Sequence, residues 1–246
     1  MSMIRPGEPI GPSNYHKPYM ALIFDLDGTL IDSPHDFHAM RKMIVDLATR
    51  SGVPYGELHT TMSVPVLMET AMHRLHQMGQ GSEGLALRFE GEANRKLDEM
   101  EMESLPKVKA MPGAKEVLPS LQKQGYRLGV LTRSCEGFTK TSLYNTGLLG
   151  LISKMRTRND SGPAKPDPQS LLILLKDMGV AKDRALFIGD GAQDVECAKA
   201  AGVDFIGMSH PGDKAAETEQ ELTRRGAFRV VHSFAELQRH VTGASA

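Results

Sequence analysis

A chain of 246 residues, 40% hydrophobic and 24% charged, has the length of one large domain or of a core carrying a smaller insert, and can bury a substantial interior. Its formal charge of -1 leaves no global electrostatic case for a nucleic-acid or anionic-membrane partner, and no segment is long and apolar enough to read as a membrane span. Two cysteines, Cys135 and Cys197, are far apart and form neither a CxxC pair nor a zinc-like cluster; with no targeting segment evident, they imply reduced thiols and a cytoplasmic location.

The first 18 residues are rich in Pro and Gly, lack an apolar signal-peptide core, and are expected to form a flexible arm. The run "MALIF" (Met20 to Phe24) then predicts a strand buried on both faces. It leads into "DLDGT", and Gly28 permits a turn there. From Pro34 to Lys107 no strand is evident. Phe37, Met40, Ile44 and Leu47 recur at helical spacing, as do Val64, Leu67, Ala71, Leu75 and Met78, and then Leu85, Phe89, Ala93 and Leu97. The pattern predicts an inserted helical domain over 34–107, hinged near Ser33–Pro34 and between Leu105 and Pro112, with its methionines as core filling.

Beyond the insert, Ala114, Val117, Leu118 and Leu121 mark a helix in which Pro119 predicts a kink or break. Strands are expected at Tyr126–Leu131, Arg184–Ile188 and Val203–Met208, with weaker candidates at Ser153–Thr157 and Phe228–Val231. Helical patterns sit at "DPQSLLILLKDMG", "DVECAKAAG" and "SFAELQRHV", and the tail "TGASA" is expected to fray. The basic runs "RTR" (Arg156 to Arg158) and "TRRG" (Thr223 to Gly226) read as solvated surface. Strands alternating with helices predict an α/β fold, a Rossmann-like parallel sheet covered on both sides, over 19–33 and 108–246.

The chemistry-bearing residues follow the predicted strands. Asp25 and Asp27, two apart, point to one side as the first strand ends. Thr132 ends a second strand, Lys165 precedes a helix in "KPDP", and "GDGAQD" (Gly189 to Asp194) ends a third strand with Asp190. A helix beginning at Asp190 would set Asp194 on the same face. Ligands of open parallel sheets bind beyond the carboxyl ends of the strands, so these groups converge on one crevice. Each has a plainer reading: the aspartates as turn or cap residues, Thr132 as a helix N-cap, Lys165 as an exposed loop lysine. Gly189 and Gly191 lack the GxGxxG spacing of a dinucleotide fingerprint.

Taken together, "DLDGT", Thr132 after an apolar strand, Lys165 in "KPDP" and "GDGAQD" resemble the motifs of the haloacid dehalogenase superfamily, in its phosphatase branch and closest to its phosphoglycolate phosphatase-like members. The resemblance runs from about Tyr19 to Gln238 and likens the helical insert to the family's cap. It implies a phosphatase for a small phosphorylated metabolite that uses Mg²⁺. Asp25, Asp190 and a backbone carbonyl, assigned to Asp27, would hold the ion, with Asp194 as a further ligand or a group that orients the others. Asp25 would be the nucleophile and form an aspartyl-phosphate, and Asp27 the general acid and base, its pKa raised by neighbouring negative charge. Thr132 and Lys165 would bind the phosphoryl group, with backbone N–H groups after Gly28 and Thr132. Dehalogenases of the superfamily lack an acid–base Asp at the position of Asp27.

Arg133 departs from the family pattern, in which a smaller or amide residue often follows the Thr; it either pairs with a substrate anion or salt-bridges to the cap. His35 and Arg133 are the candidates for specificity. The i,i+3 pairs His35/His38 and His73/His76 read as solvated helix faces, since no third metal ligand is evident. Two other readings share these residues: an intramolecular phosphomutase of the β-phosphoglucomutase type, for which no sugar-holding cap motif is evident, and a non-catalytic regulatory protein keeping the fold.

Overall fold

The computed structural model describes residues 19–78, 82–212 and 215–243; the expected arm over 1–18 and the last residues of the tail lie outside them. Six parallel strands form the central sheet in the order β5-β4-β1-β6-β7-β8. They are β1 (Ala21–Phe24), β4 (Arg127–Leu131), β5 (Ile152–Arg156), β6 (Ala185–Gly189), β7 (Asp204–Met208) and β8 (Arg229–Val231). Four fall on the apolar runs expected from the sequence, and β5 and β8 on the two weaker candidates.

Alternate residues of each strand face opposite layers. Leu22, Phe24, Val130, Ile188 and Met208 pack against α4 (Ala114–Lys123), α5 (Glu136–Asn145) and α9 (Phe234–Thr242). Ala21, Ile23, Phe187 and Phe205 pack against α6 (Pro168–Asp177), α7 (Ala192–Ala201) and α8 (Ala215–Arg225). The second layer explains the glycine in "RLGVL": a Cβ on Gly129 would stand 2.8 Å from both Ile23 Cδ1 and Met178 Sδ. Helix α4 runs unbroken through Pro119, so the expected break is absent; its apolar face of Ala114, Val117, Leu118 and Leu121 is held by the sheet, and tertiary packing overrides the missing backbone donor.

Two short strands, β2 (Ile31–Asp32) and β3 (Lys109–Ala110), pair antiparallel where the chain leaves and re-enters the α/β layer. Between them lie α1 (Phe37–Arg50), α2 (Val64–His76) and α3 (Ser82–Ser104). These helices bury an apolar core of their own, including Met40, Ile44, Leu47, Leu67, Leu75, Phe89 and Leu97, with Met43, Met62, Met68, Met72 and Met100 packed against it. Phe37 and Met78, at the ends of the expected stripes, are exposed. Asp36 caps α1 by accepting from the Ala39 N–H at 2.8 Å, which leaves His35 outside the helix and separates it from His38.

In the sheet order β4-β1-β6 the chain reverses direction of travel beside β1. That switch point opens a crevice at the carboxyl ends of β1 and β6, the strands that deliver Asp25 and Asp190.

Candidate active site

Asp25 follows β1 directly, its N–H tied to Ile188 O at 2.9 Å, so strand pairing sets its place beside the end of β6. Gly28 makes the next turn at φ +80°, and a Cβ there would lie 2.2 Å from Asp190 Oδ2. Only glycine lets the "DLDGT" turn and the Asp190 carboxylate come this close. Thr29 is buried and donates to Asp190 Oδ1 at 3.1 Å.

Asp190 stands before helix α7, whose N-cap is Gly191; the expected helical i,i+4 pair with Asp194 is therefore not formed. The two carboxylates meet nonetheless, because Asp194 folds back over the helix start and accepts from the Gly191 N–H at 3.0 Å. Oxygens of Asp25, Asp190 and Asp194 all lie within 4.8 Å of one another. Lys165, only 4% exposed, bridges Asp25 Oδ1 at 2.5 Å and Asp194 Oδ1 at 2.7 Å. It is thus no loop lysine in solvent.

The electrostatics follow from burial and crowding. Burial pushes the Asp25 carboxyl well up; Lys165 opposes this, and Asp194, Asp190 and Asp27 add to it. Burial, then Asp194, raises Asp190 from 3.8 to about 7. Burial lowers the Lys165 ammonium, but the charges of Asp194 and Asp25 outweigh it and hold the group above its ordinary value. An all-oxygen donor set whose ionised form is disfavoured by its own crowding fits a hard divalent cation such as Mg²⁺.

Asp27 differs from expectation. Burial raises its pKa, but hydrogen bonding and charge from His35, then bonds from Ser134 and Ser33, outweigh burial and leave it below the ordinary value. His35 Nε2 lies 3.1 Å from Asp27 Oδ1, and Ser134 Oγ donates to Oδ2 at 2.5 Å. His35 was expected at the substrate; its side chain is 2% exposed, wedged beside Phe37 and Phe138, and reaches the crevice through Asp27. The other insert histidines, His38, His59, His73 and His76, are exposed, as solvated faces should be.

Thr132 is buried with its N–H on Arg156 O at 2.9 Å and its Oγ1 accepting from the Ser134 N–H at 3.0 Å, which leaves its hydroxyl hydrogen to donate. It does not cap α5; Cys135 does. The N–H groups after Gly28 are spent on the turn itself, Leu30 and Ile31 both bonding Leu26 O. Among the described residues the N–H groups of Asp27 and Arg133 find no protein acceptor. Arg133 donates its guanidinium to Lys165 O and forms no ion pair with the helices of the insert among the described residues. Burial and Arg158 push it down to about 10, partly offset by Glu69 on α2.

Arg158 corrects the reading of "RTR" as solvated surface. It forks onto Asp98 at 2.6 Å and Glu101 at 2.5 Å, both on α3, and donates to Arg133 O at 2.8 Å. Arg156 is also buried, its guanidinium donating to Ser161 O. Arg224 and Arg225 of "TRRG" pair with Glu221 at the surface as expected. Glu101, Ser104, Ser134 and Arg158 have no motif spacing, and the sequence offered no signal for them.

A parallel sheet with acidic residues at a switch point, a buried lysine between two of them and a helical insert after the first strand defines a class of hydrolase. The family model "Haloacid dehalogenase-like hydrolase" matches residues 22–208. The chain belongs to this family, in its phosphatase branch, and is an enzyme. Phosphoglycolate phosphatase of Rhodospirillum rubrum is 32% identical over 223 residues, covering 88% of each chain. Validoxylamine A 7'-phosphate phosphatase of Streptomyces hygroscopicus subsp. limoneus is 28% identical over 206 residues, covering 83% of this chain and 92% of that one. Among solved structures, a HAD family hydrolase from Deinococcus radiodurans R1 with bound phosphate and sodium superposes with a TM-score of 0.60 at 22% identity, over 92% of this chain and 96% of that one. No helix of the described residues is long and apolar enough to cross a membrane.

Proposed function

We propose that the chain is a Mg²⁺-dependent phosphatase of a small phosphorylated metabolite, working through an aspartyl-phosphate on Asp25. The observation that carries this reading is the buried Lys165 ammonium held 2.5 Å from Asp25 Oδ1, in a cluster where Asp190 and Asp194 stand within ligand distance. Asp25, Asp190 and the Asp27 carbonyl hold the ion; Asp194, with both oxygens engaged by Lys165 and Gly191, orients the others. When bound, Mg²⁺ offsets the carboxylate charge and lets a phosphate dianion approach.

Asp25 attacks phosphorus, and the bond to the leaving oxygen breaks. That oxygen takes a proton from Asp27, which then removes one from the water that attacks the acyl phosphate, freeing phosphate and Asp25. A proton is on hand: Ser104 donates to Glu101 O and accepts the Nδ1 hydrogen of His35, so the hydrogen bond between Nε2 and Asp27 carries a second proton, which reaches the leaving oxygen through Asp27. Lys165, the Thr132 hydroxyl and the N–H groups of Asp27 and Arg133 bind the phosphoryl oxygens as charge develops. Residues 34–107 act as a cap domain over a core of 19–33 and 108–246, and Arg133 pairs with a substrate anion. Phosphoglycolate, named for the Rhodospirillum rubrum relative, is the first candidate ester. Two free cysteines, both buried, suit a reducing cytoplasmic compartment.

The test is phosphate release from a panel of phosphorylated metabolites, phosphoglycolate included. Activity is expected with Mg²⁺ and lost with EDTA or in Asp25→Asn. Turnover by Asp25→Asn removes the covalent route, turnover in EDTA removes the metal, and silence across the panel removes the phosphatase.

A further inference from the structure

Besides a bond from Ser33, Asp27 is gripped at both carboxylate oxygens, by His35 and by Ser134, and both of these grips lead to the same turn of one cap helix. On one side, Oδ1 meets His35 Nε2 at 3.1 Å. His35 Nδ1 in turn lies 3.1 Å from Ser104 Oγ. Ser104 spends its single hydroxyl hydrogen on Glu101 O at 2.7 Å, so it accepts from His35 and Nδ1 carries a hydrogen. On the other side, Oδ2 accepts from Ser134 Oγ at 2.5 Å. The neighbouring Cys135 N–H donates to Glu101 Oε2 at 2.8 Å, and Arg158 clamps Glu101 while bonding Arg133 O, so the loop bearing Ser134 is pinned at two points. Glu101 is 4% exposed and stands one helical turn from Ser104, at the end of α3.

We propose that Glu101 and Ser104 are positioning residues for Asp27, so that the seat of the cap on the sheet sets whether the acid–base carboxylate is aimed at the leaving oxygen. Neither touches the reacting atoms. A displacement of α3 releases His35 and the Ser134 loop together, because one turn holds both. Misplacement by about 1 Å can cost ~100-fold in rate, so the coupling is mechanistically large. The inference rests on the proposed role of Asp27 and is separable from it in the following experiment.

With the full-length Mg²⁺-loaded protein, kcat/KM is measured for p-nitrophenyl phosphate, whose leaving group needs little protonation, and for phosphoglycolate, whose alkoxide needs it fully. In Ser104→Ala and Glu101→Gln the alkyl ester is expected to lose ~10-fold or more while the aryl ester changes by less than about 3-fold, since acid catalysis matters in proportion to leaving-group basicity. Ser104→Thr, which keeps the hydroxyl, is expected to restore the alkyl reaction. Equal losses on both esters, or none on either, overturn the inference and leave the phosphatase standing. If the parent cleaves neither ester, a crystal structure of Ser104→Ala decides the positioning: a displaced Asp27 or His35 side chain upholds it, and parental placement of both overturns it.

Discussion

Asp194 commits both carboxylate oxygens to the protein, one to Lys165 and one to the Gly191 N–H, whereas Asp25 and Asp190 each lend one oxygen, to Lys165 and to Thr29. These three aspartates thus divide into different environments, although in sequence they are the same residue. Gly28 shows how tightly the division is held. Its φ of +80° and the 2.2 Å that would separate a Cβ from Asp190 Oδ2 make Gly28→Ala a displacement of the Asp190 carboxylate. Activity is expected to fall ~100-fold by misplacement, with the far-UV circular dichroism unchanged; a variant keeping half the parent kcat/KM would show that the carboxylate does not need this position. Residues with motif spacing were legible in advance: Asp25, Lys165, Asp190 and Asp194 come together, and Thr132 follows the adjoining strand β4. His35 was legible only as a candidate, and its burial against Phe138, 103 positions on, has no local signature.

At the level of elements, strands were read well because burial on both faces leaves continuous apolar runs. Helix α5 escaped because Thr139 and Ser142 share its buried face with Phe138 and Leu143, blurring the stripe. Helix α8 buries only Leu222 among its described residues, and strands of two residues, such as β2 and β3, have no period to detect. The contact of α3 with the sheet loops depends on Arg158, whose side chain is 13% exposed between Glu101 at 6% and Asp98 at 35%. Arg158→Met leaves Glu101 buried without its cation and is expected to cost about 3–5 kcal/mol in urea unfolding. Adding Glu101→Leu should recover much of that loss, because the uncompensated charge goes with it. A loss below about 1 kcal/mol in the single variant would mean water reaches Glu101 freely.

For the molecule as a whole, the acidic crevice sets a pH dependence. Asp190 titrates at about 7 in the folded chain, raised from 3.8 by burial and then by Asp194. Between those values the native state holds a proton that the unfolded chain has released, so folding stability from this group is complete below about 4 and is lost as pH rises through about 7. In EDTA, the stability of the parent relative to Asp190→Asn is therefore expected to decline from pH 4 to pH 7; a difference that is flat or grows would contradict the raised value. Saturating Mg²⁺ should flatten the decline, because a cation favours the ionised form that burial disfavours.

The antiparallel pairing of Ile31 with Ala110 and Asp32 with Lys109 puts the exit and return of the helical insert side by side. Partners across such a ladder are about 5 Å apart, a gap that a two-residue hairpin closes. The insert, residues 33–108 with its three helices, is therefore attached at a single stitched doorway, outside the register of the six parallel strands. A different lid spliced in at that doorway would meet the same phosphate-handling floor, so the scaffold can change what it recognises without rebuilding how it reacts.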